Sequence, residues 1–356
     1  MAGRRPAAAH STDTGGLVYP QRFHYEAPRT LEEACQMMAY YREDAKVLSG
    51  GMSLIPLMKL RFASPATIVD INSIAGLDYI ADSGGYLRIG ALARNRDIDR
   101  SQLVRDLHPL MSSAAPLISD PVVRNRGTLV GNCCHADPQG DWATVMLCLD
   151  GDIVAVSLQG ERVIPIQEFI VGPFQNSLRP DEIAIEARIP GTTNYGLYRK
   201  IERKVGDFAT VGVGVALTMH GGMVERAGIG LTGVGPSNIK CENAERMLLT
   251  KRIHYDGFND AVAQMAAAAA SPRTDHRGSA EYKREMVAVF VRRALSEAEG
   301  MRTLSAPAGF NGSTAPAGYP SPSAAAVAVT SLPPAGRPSR LPWMLEGLRR
   351  TFRKRS

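Results

Sequence analysis

Two glycine-containing loops hold the residues whose types and spacing best suit a chemical task. The first loop, residues 47–53 (VLSGGMS), follows a short apolar run and precedes a helical pattern, so a strand ends at Gly50 and Gly51 and a helix begins after them. Backbone N–H groups converge in such a turn and can bind an anion. An ordinary strand-to-helix turn would show the same residues. A Walker loop is excluded because no second glycine precedes Lys59 at the required spacing.

The second loop, residues 124–141 (RNRGTLVGNCCHADPQGD), offers complementary groups. Gly127 and Gly131 allow close approach of the backbone, Thr128 and Asn132 supply hydrogen-bonding side chains, and Asp141 can accept hydrogen bonds from hydroxyl groups. A dinucleotide has two phosphates and a polyol, so one loop for each phosphate region and one carboxylate for the hydroxyls would suffice to bind it. A polar β-turn region is the alternative. Together the two loops favour dinucleotide binding more than either does alone.

Two other patterns carry less weight. Gly228, Gly230 and Gly233 match the GxGxxG dinucleotide fingerprint, but Pro236 follows and the segment alternates like a strand, so we predict no Rossmann helix there. His135 and Asp137, with Asp141, could be drawn as a metal cluster, yet their spacing fits no helical face and we predict no metal. A GxSxG hydrolase motif is also missing from the sequence.

Charge and cysteine content restrict the function classes. The chain has 356 residues and a net charge of +6, but residues 301–356 contribute +7 and residues 1–16 contribute +1, which leaves the intervening 284 residues at −2. The body is therefore slightly acidic, and a nucleic-acid partner is not expected. Five cysteines without a CxxC pair favour neither a disulfide framework nor an iron–sulfur cluster. With no signal peptide or apolar span visible, we expect a cytoplasmic protein.

Local patterns predict the elements that would position these loops. Thr30 and Glu33 form a capping box before a helix over residues 31–41; a strand over 45–48 and a helix over 54–61 follow. Residues 67–189 read as strands, mostly linked by hairpins, with one helix near 105–118. Residues 194–295 read as strands followed by helices. We therefore predict an α+β fold with a disordered segment at 1–16, a first domain at 17–193, a second domain at 194–298 and a disordered Pro/Ala-rich tail at 299–356.

Several ordered motifs carry a resemblance to a known family. They are SGGMSLIPLMKLR, VDIN, DPVVRNRGTLVGN, ADPQGD, VGPFQNSLRPDEI, RKVGDFATV and TDHRGSAEYKREMVAVFVRRAL, which together span about residues 17–297. The chain thereby resembles the FAD-binding medium subunits of the xanthine dehydrogenase, or molybdenum hydroxylase, family, and within it the carbon monoxide dehydrogenase branch. The resemblance implies a PCMH-type FAD-binding domain in two parts, followed by a smaller α+β C-terminal domain, with FAD held non-covalently between the two parts.

The resemblance also implies site residues, with two departures. Relatives commonly carry a second glycine where this chain has Val130, and a β-branched residue held at positive φ would cost about 1 kcal/mol or more. Met52 replaces a residue that is often polar, and no histidine in the first loop could attach the flavin covalently. No side chain is assigned a catalytic role. The implied cofactor-binding residues are Ser49, Gly50, Gly51, Met52, Ser53, Thr128, Leu129, Val130, Gly131, Asn132, Asp141 and Lys200.

The function implied by the resemblance is electron transfer. A molybdenum-cofactor large subunit would oxidise the substrate, a [2Fe–2S] small subunit would relay electrons, and FAD in this chain would pass them to an external acceptor. The complex would be a dimer of heterotrimers, with carbon monoxide as the family's default substrate. Two alternatives stay open, namely a free-standing flavin oxidase and a structural subunit that has lost FAD. The extra cysteines of the 4-hydroxybenzoyl-CoA reductase branch are missing from the sequence.

The end of the chain allows two interpretations. Residues 341–356 (LPWMLEGLRRTFRKRS) combine Trp343, Leu345, Leu348 and Phe352 with five basic residues. A short amphipathic helix could therefore lie on the anionic inner face of a membrane. We favour the alternative, which is a solvated basic tail.

Overall fold

The computed structural model describes residues 19–253 and 257–304, and in residues 301–304 the backbone only. The chain begins with a small parallel sheet of strand order β1-β3-β2. The predicted helix at 31–41 and strand at 45–48 are confirmed at those bounds, and Thr30 Oγ1 accepts the Glu33 amide as expected. The helix predicted over 54–61 stops at Lys59 because Arg61 takes a left-handed φ of 63°. These elements are β1 (His24–Glu26), α1 (Leu31–Tyr41), β2 (Ala45–Leu48), α2 (Leu54–Lys59) and β3 (Thr67–Asp70).

A five-stranded antiparallel sheet of order β4-β5-β10-β6-β7 forms the next part. Hairpins link β4 to β5 and β6 to β7, as predicted for most of these strands, whereas β10 reaches its place between β5 and β6 through a longer connection. The strands are β4 (Ile80–Ser83), β5 (Tyr86–Gly90), β6 (Asp152–Ser157), β7 (Gly160–Pro165) and β10 (Ile183–Pro190). A short hairpin pairs β8 (Ile170–Gly172) with β9 (Gln175–Asn176).

Helices fill the connection between β5 and β6. The single helix predicted near 105–118 is wrong, because His108 and Pro109 break it into two short helices and a 3-10 turn. Much of the second loop is helical as well, which also rules out the β-turn alternative. The helices are α3 (Asn95–Arg100), α4 (Gln102–Leu107), α5 (Pro109–Ala114), α6 (Pro121–Arg124), α7 (Leu129–His135) and α8 (Asp141–Cys148), with α9 (Ile166–Phe169) after β7.

The last part of the described chain is a four-stranded antiparallel sheet with helices after it. The GxGxxG segment lies inside a strand, as predicted. The final helix runs through Leu304, whereas the disordered tail was predicted to begin at 299; the rest of that tail and residues 1–16 lie outside the described residues. The elements are β11 (Tyr195–Ile201), β12 (Val211–His220), β13 (Met223–Thr232), β14 (Ile239–Lys240), α10 (Glu242–Leu248), α11 (Phe258–Ala269) and α12 (Ala280–Leu304).

Helix α8 belongs to the first of two hydrophobic cores. All eight of its residues are buried, and it packs against the glycine-rich faces of β12 and β13. A Cβ on Gly228 would collide with the Cys148 carbonyl, and one on Gly214 would stand 3.0 Å from Cys148 Sγ. These glycines therefore let helix and sheet backbones approach closely. No helix within the described ranges is long and apolar enough to cross a membrane.

Candidate functional site

The two glycine loops lie against each other. Ser49 Oγ stands 3.4 Å from Thr128 Oγ1 and donates a 2.8 Å hydrogen bond to the Ala91 carbonyl. A Cβ added to Gly50 would collide with the Arg126 carbonyl oxygen and reach within 3.0 Å of Gly127 Cα. Only glycine at position 50 permits this approach. The reason is lack of space for a side chain and not backbone conformation, because the φ of Gly50 is not in the left-handed region.

The first loop leaves backbone donors available. The N–H groups of residues 50–53 donate no hydrogen bond to any residue that the structure describes. Gly51 has φ of 76°, a conformation that an L side chain adopts at a cost, and its neighbours Ile55 and Leu48 would crowd a Cβ there. Amides without protein partners can donate to a ligand or to water. This set of donors fits an anion such as a diphosphate.

The second loop is fixed by a cap at its centre. Thr128 Oγ1 accepts the Gly131 amide at 3.1 Å, and a Cβ on Gly131 would stand 2.7 Å from that hydroxyl. Val130 is a buried α7 residue, 2% exposed, and it is not among the residues with positive φ. The condition under which Val130 would be strained, a positive φ, is not met, because valine fits the α-helical backbone there and fills the core. Leu129 beside it is also buried.

Asn132 offers an unpaired acceptor next to these loops. Its Oδ1 is buried and receives no hydrogen bond from a described residue. Gly140, the residue before Asp141, lies close enough that a Cβ would stand 3.1 Å from this oxygen. Because a buried polar atom requires a partner, Asn132 Oδ1 is suited to accept a hydroxyl or amide proton from a ligand.

Asp141 and Lys200 form a buried ion pair. Lys200 Nζ lies 3.0 Å from Asp141 Oδ2 and also donates to the Leu117 carbonyl, while Tyr198 Oη donates to Asp141 Oδ1 at 2.7 Å. The side chains of Lys200 and Asp141 are 2% and 6% exposed. Burial raises the pKa of Asp141 above its ordinary value, although Lys200 and Tyr198 oppose that shift. Both carboxylate oxygens therefore have protein partners, so a ligand hydroxyl would share Asp141 with them.

A buried hydrogen-bonded chain extends from Asp141, and sequence reasoning missed it. Tyr198 Oη contacts Thr232 Oγ1 at 2.7 Å, Thr232 donates to Thr144 at 2.6 Å, and Asn238 Nδ2 donates both to Thr144 and to the Gly140 carbonyl. These residues come from β11, α8, β13 and the segment before β14. In the sequence these residues are isolated threonines and a tyrosine, and their spacing gave no signal that could have revealed this row of hydrogen bonds.

A second missed group connects the loops. Arg94 donates hydrogen bonds to Asn72 Oδ1 and to the Arg126 carbonyl, and Asn72 Nδ2 donates to the Ser49 carbonyl. Asn72 belongs to the VDIN run already noted, which was the available signal; nothing in the sequence singled out Arg94.

The residues considered as metal ligands make contacts with different neighbours. The His135 ring packs against the Phe174 ring, with centroids 5.2 Å apart and planes tilted by 53°, and Asp137 Oδ1 accepts the Gln139 amide. Within the described residues no group of three or more His, Cys, Asp or Glu side chains could hold a metal. Burial raises the pKa of Cys35 to about 11 and of Cys134 to about 12, so these thiols are not reactive at neutral pH.

The geometry fits a dinucleotide such as FAD. The first loop has amides that could donate to a diphosphate, Gly50 lets the two loops meet at van der Waals distance, and Asn132 supplies a buried acceptor. Residues 50–53 and 128–132 would hold the diphosphate region, with Asp141 and Lys200 farther along the site. None of these residues is arranged as a nucleophile with a base, which fits a binding role more than an acid–base role.

Comparisons with known proteins identify relatives of both predicted domains. A family described as the FAD binding domain in molybdopterin dehydrogenase matches residues 21–192, and one described as the CO dehydrogenase flavoprotein C-terminal domain matches residues 196–298. The chain is 37% identical to the carbon monoxide dehydrogenase medium chain of Hydrogenophaga pseudoflava, with 79% of this chain and 98% of that protein covered.

Two further relatives agree. The 6-hydroxypseudooxynicotine dehydrogenase complex subunit alpha of Paenarthrobacter nicotinovorans is 34% identical, with 78% of this chain and 95% of that protein covered. A solved structure of carbon monoxide dehydrogenase from Hydrogenophaga pseudoflava, which lacks the Mo-pyranopterin moiety of its cofactor, contains a chain with a TM-score of 0.75 and 38% identity. In that match 78% of this chain and 97% of the solved chain are covered.

Proposed function

This chain belongs to the family of FAD-binding medium subunits of molybdenum hydroxylases, and we propose that it holds FAD non-covalently between its two glycine loops. The PCMH-type α+β fold expected from the resemblance, an FAD-binding domain followed by a smaller C-terminal domain, is confirmed. One observation carries the proposal for the site. Ser49 and Gly50 of the first loop meet Arg126, Gly127 and Thr128 of the second loop at van der Waals distance.

The protein's contribution is binding and orientation. FAD, when bound, accepts electrons one at a time and releases them in pairs. The amides of residues 50–53 would donate to its diphosphate, Thr128 keeps the second loop in place through the Gly131 amide, and Asn132 Oδ1 would accept a ligand proton. The Asp141–Lys200 pair would offer a carboxylate for the ribityl hydroxyls and a cation near the ring. Ser49, Gly51, Met52, Ser53, Leu129 and Val130 complete the proposed set.

The proposed partners follow the family. We propose that the chain receives electrons from a [2Fe–2S] small subunit, that a molybdenum-cofactor large subunit selects the substrate, and that two such heterotrimers form the complex. Carbon monoxide is the proposed substrate, supported by the 37% identity with a carbon monoxide dehydrogenase medium chain. Reduction of a dye by the purified complex with carbon monoxide tests this, and turnover only with a nicotine-type, aldehyde or purine substrate would reassign it.

Purification of the full chain tests the cofactor. We expect flavin absorbance at about 450 nm. Acid denaturation should release the flavin from the protein, because no covalent attachment is proposed. A folded chain that binds no FAD when the cofactor is added would contradict the proposal and support the structural-subunit alternative. Substrate oxidation by this chain without partner subunits would instead support the flavin oxidase alternative.

Residues 305–356 lie outside the described residues, and two proposals concern them. The tail would be either solvated or a peripheral contact with the inner face of the cytoplasmic membrane, as the basic and apolar residues at 341–356 suggest. Truncation after Leu304 preserves helix α12 and tests both. Unchanged membrane fractionation of the assembled complex would reject the membrane contact.

A further inference from the structure

The Arg94 guanidinium connects the two glycine loops. Its Nη1 donates to the Arg126 carbonyl at 2.9 Å, next to Gly127, and its Nη2 donates to Asn72 Oδ1 at 2.6 Å. Asn72 Nδ2 in turn donates to the Ser49 carbonyl at 2.9 Å, at the start of the GlyGly turn. One hydrogen-bonded path therefore runs from the second loop through Arg94 and Asn72 to the first.

The backbone next to Arg94 holds the same segment. The Asn95 amide donates to the Gly127 carbonyl at 2.9 Å, and the Asn95 side chain is fixed in turn by a hydrogen bond from the Trp142 indole. Two successive carbonyls of the second loop, those of Arg126 and Gly127, thus receive hydrogen bonds from Arg94 and Asn95. The Arg126 carbonyl is also the atom against which Gly50 packs, so its position sets the spacing between the loops.

Ion pairing does not explain the arginine. No carboxylate oxygen of the described residues lies within 4.0 Å of its guanidinium, and burial lowers the pKa of Arg94, with Arg126 adding to the effect. A neighbouring cavity of about 290 Å³ is lined by Arg94 together with Asp78 and Asp97, which makes it unsuitable for an anion. The guanidinium's two forked donors instead match two neutral oxygens on different segments, a geometry that lysine cannot reproduce.

We propose that Arg94 is a positioning residue that sets the spacing of the two glycine loops for the FAD diphosphate, acting through Asn72 and the Arg126 carbonyl. This inference rests on the proposed function. It predicts that the forked geometry of Arg94, more than its charge, determines FAD affinity, because both of its acceptors are uncharged.

Equilibrium and stopped-flow binding of FAD to the FAD-free full chain, followed by flavin fluorescence, tests the proposal. We expect Arg94→Lys and Arg94→Gln each to weaken FAD binding about tenfold, since each loses one or both charge-assisted hydrogen bonds. Arg96→Lys, two residues further along the chain in helix α3, makes the same chemical change at a side chain that bonds Asn125 and Asp97. It should leave FAD affinity within about twofold.

A second variant reaches the same path from its other end. Asn72→Ser removes the acceptor of Arg94 while keeping the arginine, and we expect a similar loss of FAD affinity. The double variant Arg94→Gln/Asn72→Ser should bind little worse than either single variant, because both cut one path. Thermal melting of the FAD-free chains shows whether the variants are folded. If Arg94→Lys does not fold, the FAD affinity of Asn72→Ser tests the proposal.

The outcomes separate the two proposals. Failure of the wild-type chain to bind FAD would overturn the proposed function and this inference with it. A second outcome is that the wild-type chain binds FAD, Arg94→Lys binds it equally well and Arg94→Gln binds it less well. That result would show that the charge alone matters and would overturn the positioning role. Undiminished affinity in Asn72→Ser, or additive losses in the double variant, would overturn it as well.

Discussion

Glycine lets backbones approach closely at two contacts that differ in the polar groups they leave unpaired. Between the loops, Gly50 packs against the Arg126 carbonyl while the amides of residues 50–53 stay without protein acceptors. Between helix α8 and strands β12 and β13, Gly228 and Gly214 pack against Cys148. The polar side chains at this second contact bond one another, from Asp141 to Asn238.

The contrast separates a binding surface from a structural one. Close approach of backbones is common to both, so glycine spacing alone could not distinguish them, and the GxGxxG match at Gly228 belongs to the structural contact. What distinguishes the loops is the set of donors and acceptors left over after folding. A ligand can supply hydrogen-bond partners for those groups. The contact between α8 and the sheet has few unpaired donors or acceptors.

Gly228→Ala should have the largest effect. Its Cβ would occupy the position of the Cys148 carbonyl, which lies on a fully buried helix that cannot withdraw. We expect the free energy of unfolding to fall by about 3 kcal/mol or more, measured by chemical denaturation. Gly172→Ala is the control, because a Cβ there meets only Gln175 Oε1 at 3.7 Å. Equal stability of the two variants would mean that the helix and sheet are not in close contact.

Gly50→Ala tests the other side of the contrast. The added methyl group would push the Arg126 carbonyl away and separate the loops, but these loops are less buried than α8 and can move. We therefore expect FAD affinity to fall about a hundredfold, while stability of the FAD-free chain falls by only about 1 kcal/mol. Fluorescence titration and thermal melting measure the two quantities. A large loss of stability with unchanged affinity would remove the distinction between the two regions.

Glu245 adds a pH dependence to the structural region. Its Oε1 accepts the Ile229 amide next to Gly228, and burial raises its pKa from 4.5 to about 7, with Lys240 opposing and Asp150 and Glu242 adding to the shift. The folded state therefore holds the proton more tightly than the unfolded chain does. The stabilisation from this proton is complete below about pH 4.5 and is lost as the pH rises to about 7.

Glu245→Gln should remove this dependence. The amide oxygen can still accept the Ile229 N–H, so we expect the variant to gain about 2 kcal/mol over the wild type between pH 5 and pH 8. Denaturation across that range measures the gain. Glu285→Gln, which makes the same change at an exposed residue of helix α12, serves as the control and should follow the wild-type profile. A pH-independent difference for Glu245→Gln would show that this carboxyl does not titrate in that window.

Local signals in the sequence predicted the first part of the fold well. The capping pair Thr30 and Glu33 and the apolar run before Gly50 fixed a helix and a strand at the observed bounds. Between β5 and β6 one helix was predicted where six short ones form, because each is too short to show a full amphipathic period. The insertion of β10 between β5 and β6 is a long-range pairing, which local patterns do not encode.

The site was predictable where backbone chemistry dominates. Gly50 and Thr128 are marked by residue type, and the structure brings their loops into contact, with Gly50 against Arg126 and Gly127 and Ser49 beside Thr128. At Val130 the condition for strain is not met, since this chain forms a buried helix where relatives' glycine suggested a turn. Groups such as Arg94, Tyr198 and Thr232 act through partners distant in sequence, so no spacing could reveal them.

Tyr198→Phe should have the smallest effect, and the reason lies in the number of protons. Four contacts join Asp141, Tyr198, Thr232, Thr144 and the Leu231 carbonyl, but the three hydroxyl groups have only three protons when Asp141 is ionised. One of the four contacts must then lack a hydrogen. Removal of the Tyr198 hydroxyl takes away its contacts with Asp141 and Thr232 and leaves the Thr232–Thr144 bond intact. Asp141 keeps Lys200, and we expect a loss of about 1 kcal/mol in the free energy of unfolding.

The pH dependence of that loss sharpens the test. The Tyr198 bond lowers the pKa of Asp141, so its removal should raise that pKa further and cost more where the carboxylate is charged than where it is protonated. Tyr195→Phe is the matched control, because the Tyr195 hydroxyl is also buried but donates at 2.6 Å to the uncharged Ala294 carbonyl. Its loss of stability should not change across acid pH. If both variants lose the same stability at every pH, the Tyr198 hydroxyl does not stabilise a charged Asp141, and the buried chain is neutral throughout.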